Sequence, residues 1–238
     1  MKNFLSLLMV LPLMVILAAG CAKTKQAGGL GEAEPSGFLG DYSMLKEGEK
    51  GQATLVYIKK DPKKWKSYDK ILLKAVQVWR GEKSDAKDMN KEDAENLGRL
   101  LWSKLDVELR KDYQIVDQPG PGVLQFEAAI TEAGKTMPFF DLVTNLYPAA
   151  LVLSQGKRLV AGTNSFVGAA SAEAKVTDAQ DGTLLFAAVD RRGGGKYLLK
   201  NRFDRWADVE EAFSYWAKKV RWRLCVQRGG ANCQEPEE

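Results

Sequence analysis

The stretch Gly168–Asp190, GAASAEAKVTDAQDGTLLFAAVD, decides the fold. Ala170, Ala172, Ala174 and Val176 take every second position, and Ser171, Glu173, Lys175 and Thr177 fill the positions between. Side chains alternate across a strand, so the two sets turn to opposite faces. Asp181-Gly182 then reverses the chain into Thr183–Val189, because glycine reaches the positive φ a tight turn requires. An antiparallel hairpin is expected, and some other element must cover its apolar face.

Downstream, Trp206, Val209, Phe213, Trp216, Val220 and Leu224 recur every three or four residues. That spacing predicts a long amphipathic helix over Asp204–Cys225. Upstream, Leu124, Phe126, Ala128 and Ile130 alternate with polar residues, which predicts a strand with one wet face. The QPGPG before it is a turn. Tyr113–Asp117 reads as a short buried strand, and Gln52–Ile58 and Lys70–Trp79 as two further strands rich in β-branched and aromatic residues. The Asp61-Pro62 step and the lysines after it read as a loop. Asn90 followed by Asp93 is a partial capping box. It opens a helix to about Lys111, with Ala94, Leu97, Leu101, Leu105 and Leu109 on one stripe. Phe139–Ser154, apolar with Pro148 inside, reads as two short helical pieces. The order is β-β-α-β-β-(α)-β-β-α. It predicts one α+β domain over residues 37–238: a largely antiparallel sheet of about six strands with two long helices packed on one face.

The amino terminus carries an address. Lys2 precedes an apolar run from Phe4 to Leu17, followed by Ala18, Ala19, Gly20 and Cys21. Spanning a bilayer takes about 20 apolar residues. This run is shorter, and small residues end it, as in a cleaved signal over residues 1–20. A cysteine directly after small residues resembles the lipobox of bacterial lipoproteins, with Leu17 one position early. Its thiol is the nucleophile available to take a diacylglyceryl group. An ordinary signal cleaved near Ala19, leaving Cys21 free, is the alternative. Acylation would fasten the chain to a membrane without a protein span, since each buried methylene contributes about 0.8 kcal/mol. Residues 21–36, small and Gly-rich, read as a flexible tether reaching ~20 Å.

Removing residues 1–20 leaves 218 of the 238 residues, and the formal charge falls from +4 to +3 because only Lys2 is lost. That balance is too mild to argue for nucleic acid. Cys225 and Cys233 remain, eight positions apart. In an oxidising compartment such a pair forms a disulfide, here worth about 2–3 kcal/mol. Metal binding is the weaker alternative, because the chain has no histidine to complete a common site.

The blocks SGFLGDYSML, VDQPGPGVLQFEAAIT, EAKVTDAQDGTLLFAAVDRRGG and WADVEEAFSYWAKKVRWRL together resemble the bacterial lipoproteins grouped as domain of unknown function 3313. Asp181-Gly182-Thr183 departs from the Thr-Gly-Glu type of turn in the related hairpin. The resemblance implies a lipid-anchored, periplasm-facing α+β domain with no assigned activity. In proteobacterial lipoproteins, retention at the inner membrane usually requires Asp after the acylated Cys. Ala22 stands there instead, which favours the outer membrane.

Catalytic signatures are sparse. Without histidine the chain has no Ser-His-Asp or Cys-His arrangement. RRGGGKY (Arg191–Tyr197) ends like a phosphate loop but lacks the upstream glycine and the Ser or Thr. Carboxylate pairs are the remaining enzyme chemistry, with Asp41, Glu127 and Asp190 beside expected strands. Solvated faces and caps explain them better. Lys59, Lys60, Lys63, Lys64 and Lys66 could meet anionic headgroups, though a solvated loop explains them too. At 100° per residue, Tyr215 and Trp222 fall opposite the core stripe of the last helix, beside Lys218. Aromatics on a charged face mark interfaces. With Phe38 and Tyr42 of the FLGDY segment they form the candidate interaction surface, unless that segment or the Cys225–Cys233 loop folds over them.

The expectation is a membrane-attached, non-catalytic binding or scaffolding module for an envelope protein partner, with no cofactor. Two alternatives are a glycan-cleaving enzyme using paired carboxylates, and a carrier of lipid or another hydrophobic ligand lined by Phe139–Leu153.

Overall fold

The structure, a computed structural model, describes residues 25–26, 35–81, 89, 91–133, 169–193 and 207–237. Residues 1–20, the 139–154 stretch, Asn90 and Trp206 lie outside them.

The expected hairpin is the centre of the sheet. Strands β8 (Ala169–Asp178) and β9 (Leu184–Gly193) pair antiparallel from Ala169↔Gly193 to Thr177↔Leu184. Gly182, at φ +72°, makes the turn between them. β7 (Val123–Ala133) lies antiparallel along β8, and β3 (Leu55–Ile58) along β9. A two-residue strand β2 (Lys46–Glu47) closes one edge by pairing with β3.

Beyond β7 the sheet changes sense. The KILLKAVQVW stretch forms two strands rather than one, β4 (Lys70–Leu73) and β5 (Gln77–Val78), both parallel to β7. β6 (Gln114–Ile115) runs parallel to β4 at the other edge. Among the described residues the sheet therefore has nine strands, in the order β2-β3-β9-β8-β7-β4-β6, with β1 (Lys25–Gln26) on β9 and β5 on β7. Antiparallel pairs dominate, as expected. The parallel part arises because helix α2 (Lys91–Leu109) carries the chain from β5 over one face and back, and a parallel pair needs such a crossover.

Helix α3 (Ala207–Arg228) packs beside α2 on that same face. It runs one turn past the expected end, and Gly229 at φ +77° stops it. Leu97, Leu101, Leu105 and Leu109 of α2 and Val209, Phe213, Trp216 and Leu224 of α3 bury their stripes against Leu124, Phe126, Ala128 and Ile130 of β7. The lysine-rich segment, expected as loop, contains the one-turn helix α1 (Pro62–Lys66). Asp61 caps it by accepting from the Lys64 amide, Pro62 opens it, and Trp65 plugs into the core while its Nε1 donates to the Lys59 carbonyl. A single buried ring in five residues leaves no periodicity to detect. Lys64 is paired with Asp178 and Asp181.

The polar face of β8 is covered at Glu173, which is fully buried. The Ser36 amide (2.7 Å) and the Tyr42 hydroxyl (2.6 Å) donate to its two carboxylate oxygens, so the chain from Ser36 to Tyr42 wraps the sheet's second face. Burial and the bond to Glu173 push the Tyr42 hydroxyl above its ordinary pKa. Within the expected tether, Lys25 and Gln26 belong to the sheet.

Gly98 lets α2 approach the β4–β5 connection. A Cβ there would stand 2.7 Å from the Val76 carbonyl oxygen. Helix propensity alone favours alanine by about 1 kcal/mol, but forcing apart packed backbone costs about 1–3 kcal/mol. Gly98→Ala is therefore expected to lower the urea midpoint of the full chain; a raised midpoint would refute the close approach.

Candidate functional site

On β9 the period-two pattern continues past Val189. Phe186, Ala188, Asp190 and Arg192 share the helix-covered face, opposite Val176, Ala174, Ala172 and Ala170 of β8. Two charged residues thus sit where core residues belong, both buried. Asp190 is enclosed by donors. The Trp216 indole N–H reaches Oδ2 at 2.8 Å, and Arg192 Nε lies 3.4 Å from the same oxygen. The Thr54 amide and the Gln26 side-chain amide each reach Oδ1 at 3.2 Å. Burial pushes the Asp190 carboxyl above its ordinary pKa, while Arg192, Trp216 and Thr54 pull the other way by favouring the charged form. The Arg192 guanidinium also lies flat on Tyr215, 3.6 Å from the ring centroid.

Beside this cluster is a cavity of about 90 Å³. Its floor is small because β7, β8 and β9 place Ala128, Ala172, Ala174 and Ala188 there, and Phe126, Trp216 and Tyr215 wall it.

The second concavity lies between the C-terminal half of α3, the end of α2 and the tail. It measures about 310 Å³, and its wall includes Lys218, Arg221, Trp222, Asn232 and Glu235. Cys225 and Cys233 are joined by a disulfide with a Cα–Cα separation of 5.6 Å, which holds the tail as the cleft's second wall. Lys219 reinforces it with an ion pair to Glu235 at 2.6 Å. On the first wall, Arg221 grips Asp112 through two nitrogens, at 2.7 and 3.2 Å, and Asp112 holds its pKa above the ordinary value. Lys219 Nζ and the Arg223 guanidinium both stand 4.4 Å from the Trp222 ring.

The five residues of the expected interaction surface are thereby divided. Trp222, half-buried, and Lys218, exposed, line the cleft with both cysteines. Tyr215 does not face outward: it is 6 % exposed. A helical wheel drawn from α3 alone cannot register the long Arg192 side chain rising from β9 to meet it. Phe38 and Tyr42 are on the other face of the sheet, where Phe38 meets Trp79 edge-on and Tyr42 holds Glu173. Of the candidate carboxylates, Asp41 is exposed and accepts from the Ser43 amide, and Glu127 pairs with Lys175 at 3.6 Å. Glu127 and Asp190 lie on opposite faces of the sheet, so these two form no catalytic pair. Among the described residues, no three acidic or cysteine side chains are grouped to hold a metal ion. Arg192 and Glu173 escaped the sequence reading, although extending the strand alternation two residues past Asp190 would have placed Arg192 inward.

Removing the Asp190 carboxylate takes one anionic partner from Arg192 and the acceptor from Trp216. Asp190→Ala is expected to cost about 3–5 kcal/mol in urea unfolding, and Trp216→Phe, which loses one hydrogen bond, about 1–2 kcal/mol. Equal, small losses in both would show that the cluster is not the joint described.

No curated protein matches the chain. Solved structures similar to it include a variant of the PelC dodecamer from Paraburkholderia phytofirmans, with 10% identity and a TM-score of 0.37, covering 69% of this chain and 89% of that one. A second PelC dodecamer structure from the same organism has 13% identity and a TM-score of 0.35, covering 69% and 90%. Residues 34–220 match a family model, and the chain belongs to that family, described as "Protein of unknown function (DUF3313)".

Proposed function

We propose that this chain is a lipoprotein of the bacterial envelope, acylated on Cys21, that serves as a non-catalytic binding module for a protein partner. The observation that carries the reading is the cleft between α3 and the tail. There an indole flanked by cations, an exposed lysine and a disulfide-held wall converge in about 310 Å³. Tryptophan and arginine are the residues that most often anchor protein interfaces. The lipobox-like run ending at Cys21 supports the anchor, and Ala22 favours the outer membrane. Nothing in this role calls for a cofactor or nucleic acid.

A photo-crosslinking residue at position 222 in cells is expected to trap one discrete partner, and to lose it when Cys233→Ser frees the tail. Recovery of uncrosslinked chain alone would remove the cleft from the reading. Cys21→Ser is expected to abolish acyl labelling; unchanged labelling would refute the anchor.

The apolar cavity of about 90 Å³ beneath α3 favours a second reading, a carrier of a small hydrophobic ligand. Filling it with Ala174→Leu separates the two, since a carrier would lose its ligand and a scaffold would keep its partner.

A further inference from the structure

Among the described residues upstream of Ser36, Lys25 and Gln26 are attached to the sheet. Lys25 and Gln26 lie opposite Gly193 and Arg192 at the end of β9. Two paired residues hold weakly alone, but Gln26 adds its side chain. Its Nε2 lies 3.2 Å from each of three acceptors: the Gln52 carbonyl, Thr54 Oγ1 and Asp190 Oδ1. These belong to the β2–β3 turn, the edge of β3 and the buried cluster on β9, so one amide locks β1 to three parts of the body.

The direction of β1 matters as much as its attachment. It runs antiparallel to β9, so β1 enters the sheet at the Gly193 end, where β8 begins at Ala169. The β2–β3 turn, with exposed Lys50, points to this same pole, because Leu55 pairs with Val189 and the turn precedes it. The β8–β9 turn around exposed Gln180 is at the opposite pole. At ~3.4 Å per residue, the ten residues of β9 separate the two poles by roughly 30 Å. Four peptide steps link Lys25 to Cys21, which extend to at most ~14 Å. A free chain to Ser36 would average ~20 Å and extend much further.

We infer that β1 is a clamp that fixes which end of the body meets the bilayer: the pole at Gly193, Ala169 and Lys50 is the membrane-facing surface, and its partner is the lipid headgroup layer. The inference rests on the acylated Cys21 of the reading above. α3 follows the same axis. Its Trp216 lies by Asp190, while Gly229 beyond its end packs against Lys66 of α1 near the far pole. The cleft runs along that axis, from Gly229 near the far pole to Glu235, which lies beside Gly51 in the β2–β3 turn at the clamped pole.

The test uses the full acylated chain in phosphatidylglycerol-containing vesicles with headgroup-attached quenchers. A fluorophore is placed on Lys50→Cys or on Gln180→Cys, and the acyl mass on the Cys21 peptide is measured in every sample. The clamp predicts quenching several-fold stronger at position 50 than at 180. It also predicts loss of that difference in Gln26→Pro, or when a ten-residue Gly-Ser insertion after Ala22 lengthens the leash without touching the fold. Equal quenching at the two positions on a chain whose Cys21 is acylated overturns the clamp and leaves the anchor standing. So does an unchanged difference in the insertion variant. An unacylated Cys21 removes the anchor and the clamp's membrane role together.

Discussion

The Asp190 carboxylate is the joint on which this fold turns. It receives donors from α3, from Thr54 just ahead of β3, from β1 and from its own strand, elements scattered from residue 26 to residue 216. Relative to an apolar cluster of the same shape, such a buried ionic group adds little net stability, because desolvation offsets the attraction. Misalignment is another matter, since any shift of α3 along the sheet would leave a buried charge without its partners. The cluster therefore specifies where the helix lies more than how firmly it is held. Glu173 does the same on the other face, fixing the chain from Ser36 to Tyr42 against the sheet through both of its oxygens.

Between the sheet and the helices the core is uneven. Helix α3 contributes Phe213 and Trp216, stacked with centroids 5.9 Å apart, whereas the strands beneath contribute alanines. Large rings on one layer and methyl groups on the other let the helices sit close, but the fit leaves the 90 Å³ cavity. The tail disulfide and the ion pairs around Arg221 lie outside it, on the solvent side of α3.

What the sequence made legible is what depends on near neighbours. The β8–β9 hairpin declares itself through alternation and Asp-Gly, and α2 and α3 through their leucine and aromatic stripes, since each signal is contained within one element. The parallel pairing of β4 with β7 is invisible locally: Ile71 meets Leu124 only after a helix has been crossed. The break between β4 and β5 is hidden for a related reason, because it accommodates Gly98 of another element. Alternation also reports polarity rather than coverage. The burial of Glu173 does not show locally, because part of its cover comes from Ser36, 137 positions away. Of the candidate site, Trp222, Lys218 and the cysteine pair could be found by reading α3 and its tail, whereas the location of Tyr215 depended on an arginine from a different strand.

The Cys225–Cys233 bond ties the last turn of a helix to the strip of chain that forms the opposite bank of the cleft. Thiols remain apart in a reducing cytosol and join in an oxidising space. On the proposed envelope reading, a newly made copy would acquire the second bank of this cleft only after export changes the chemistry around it. Closure of that bank would then be timed by geography.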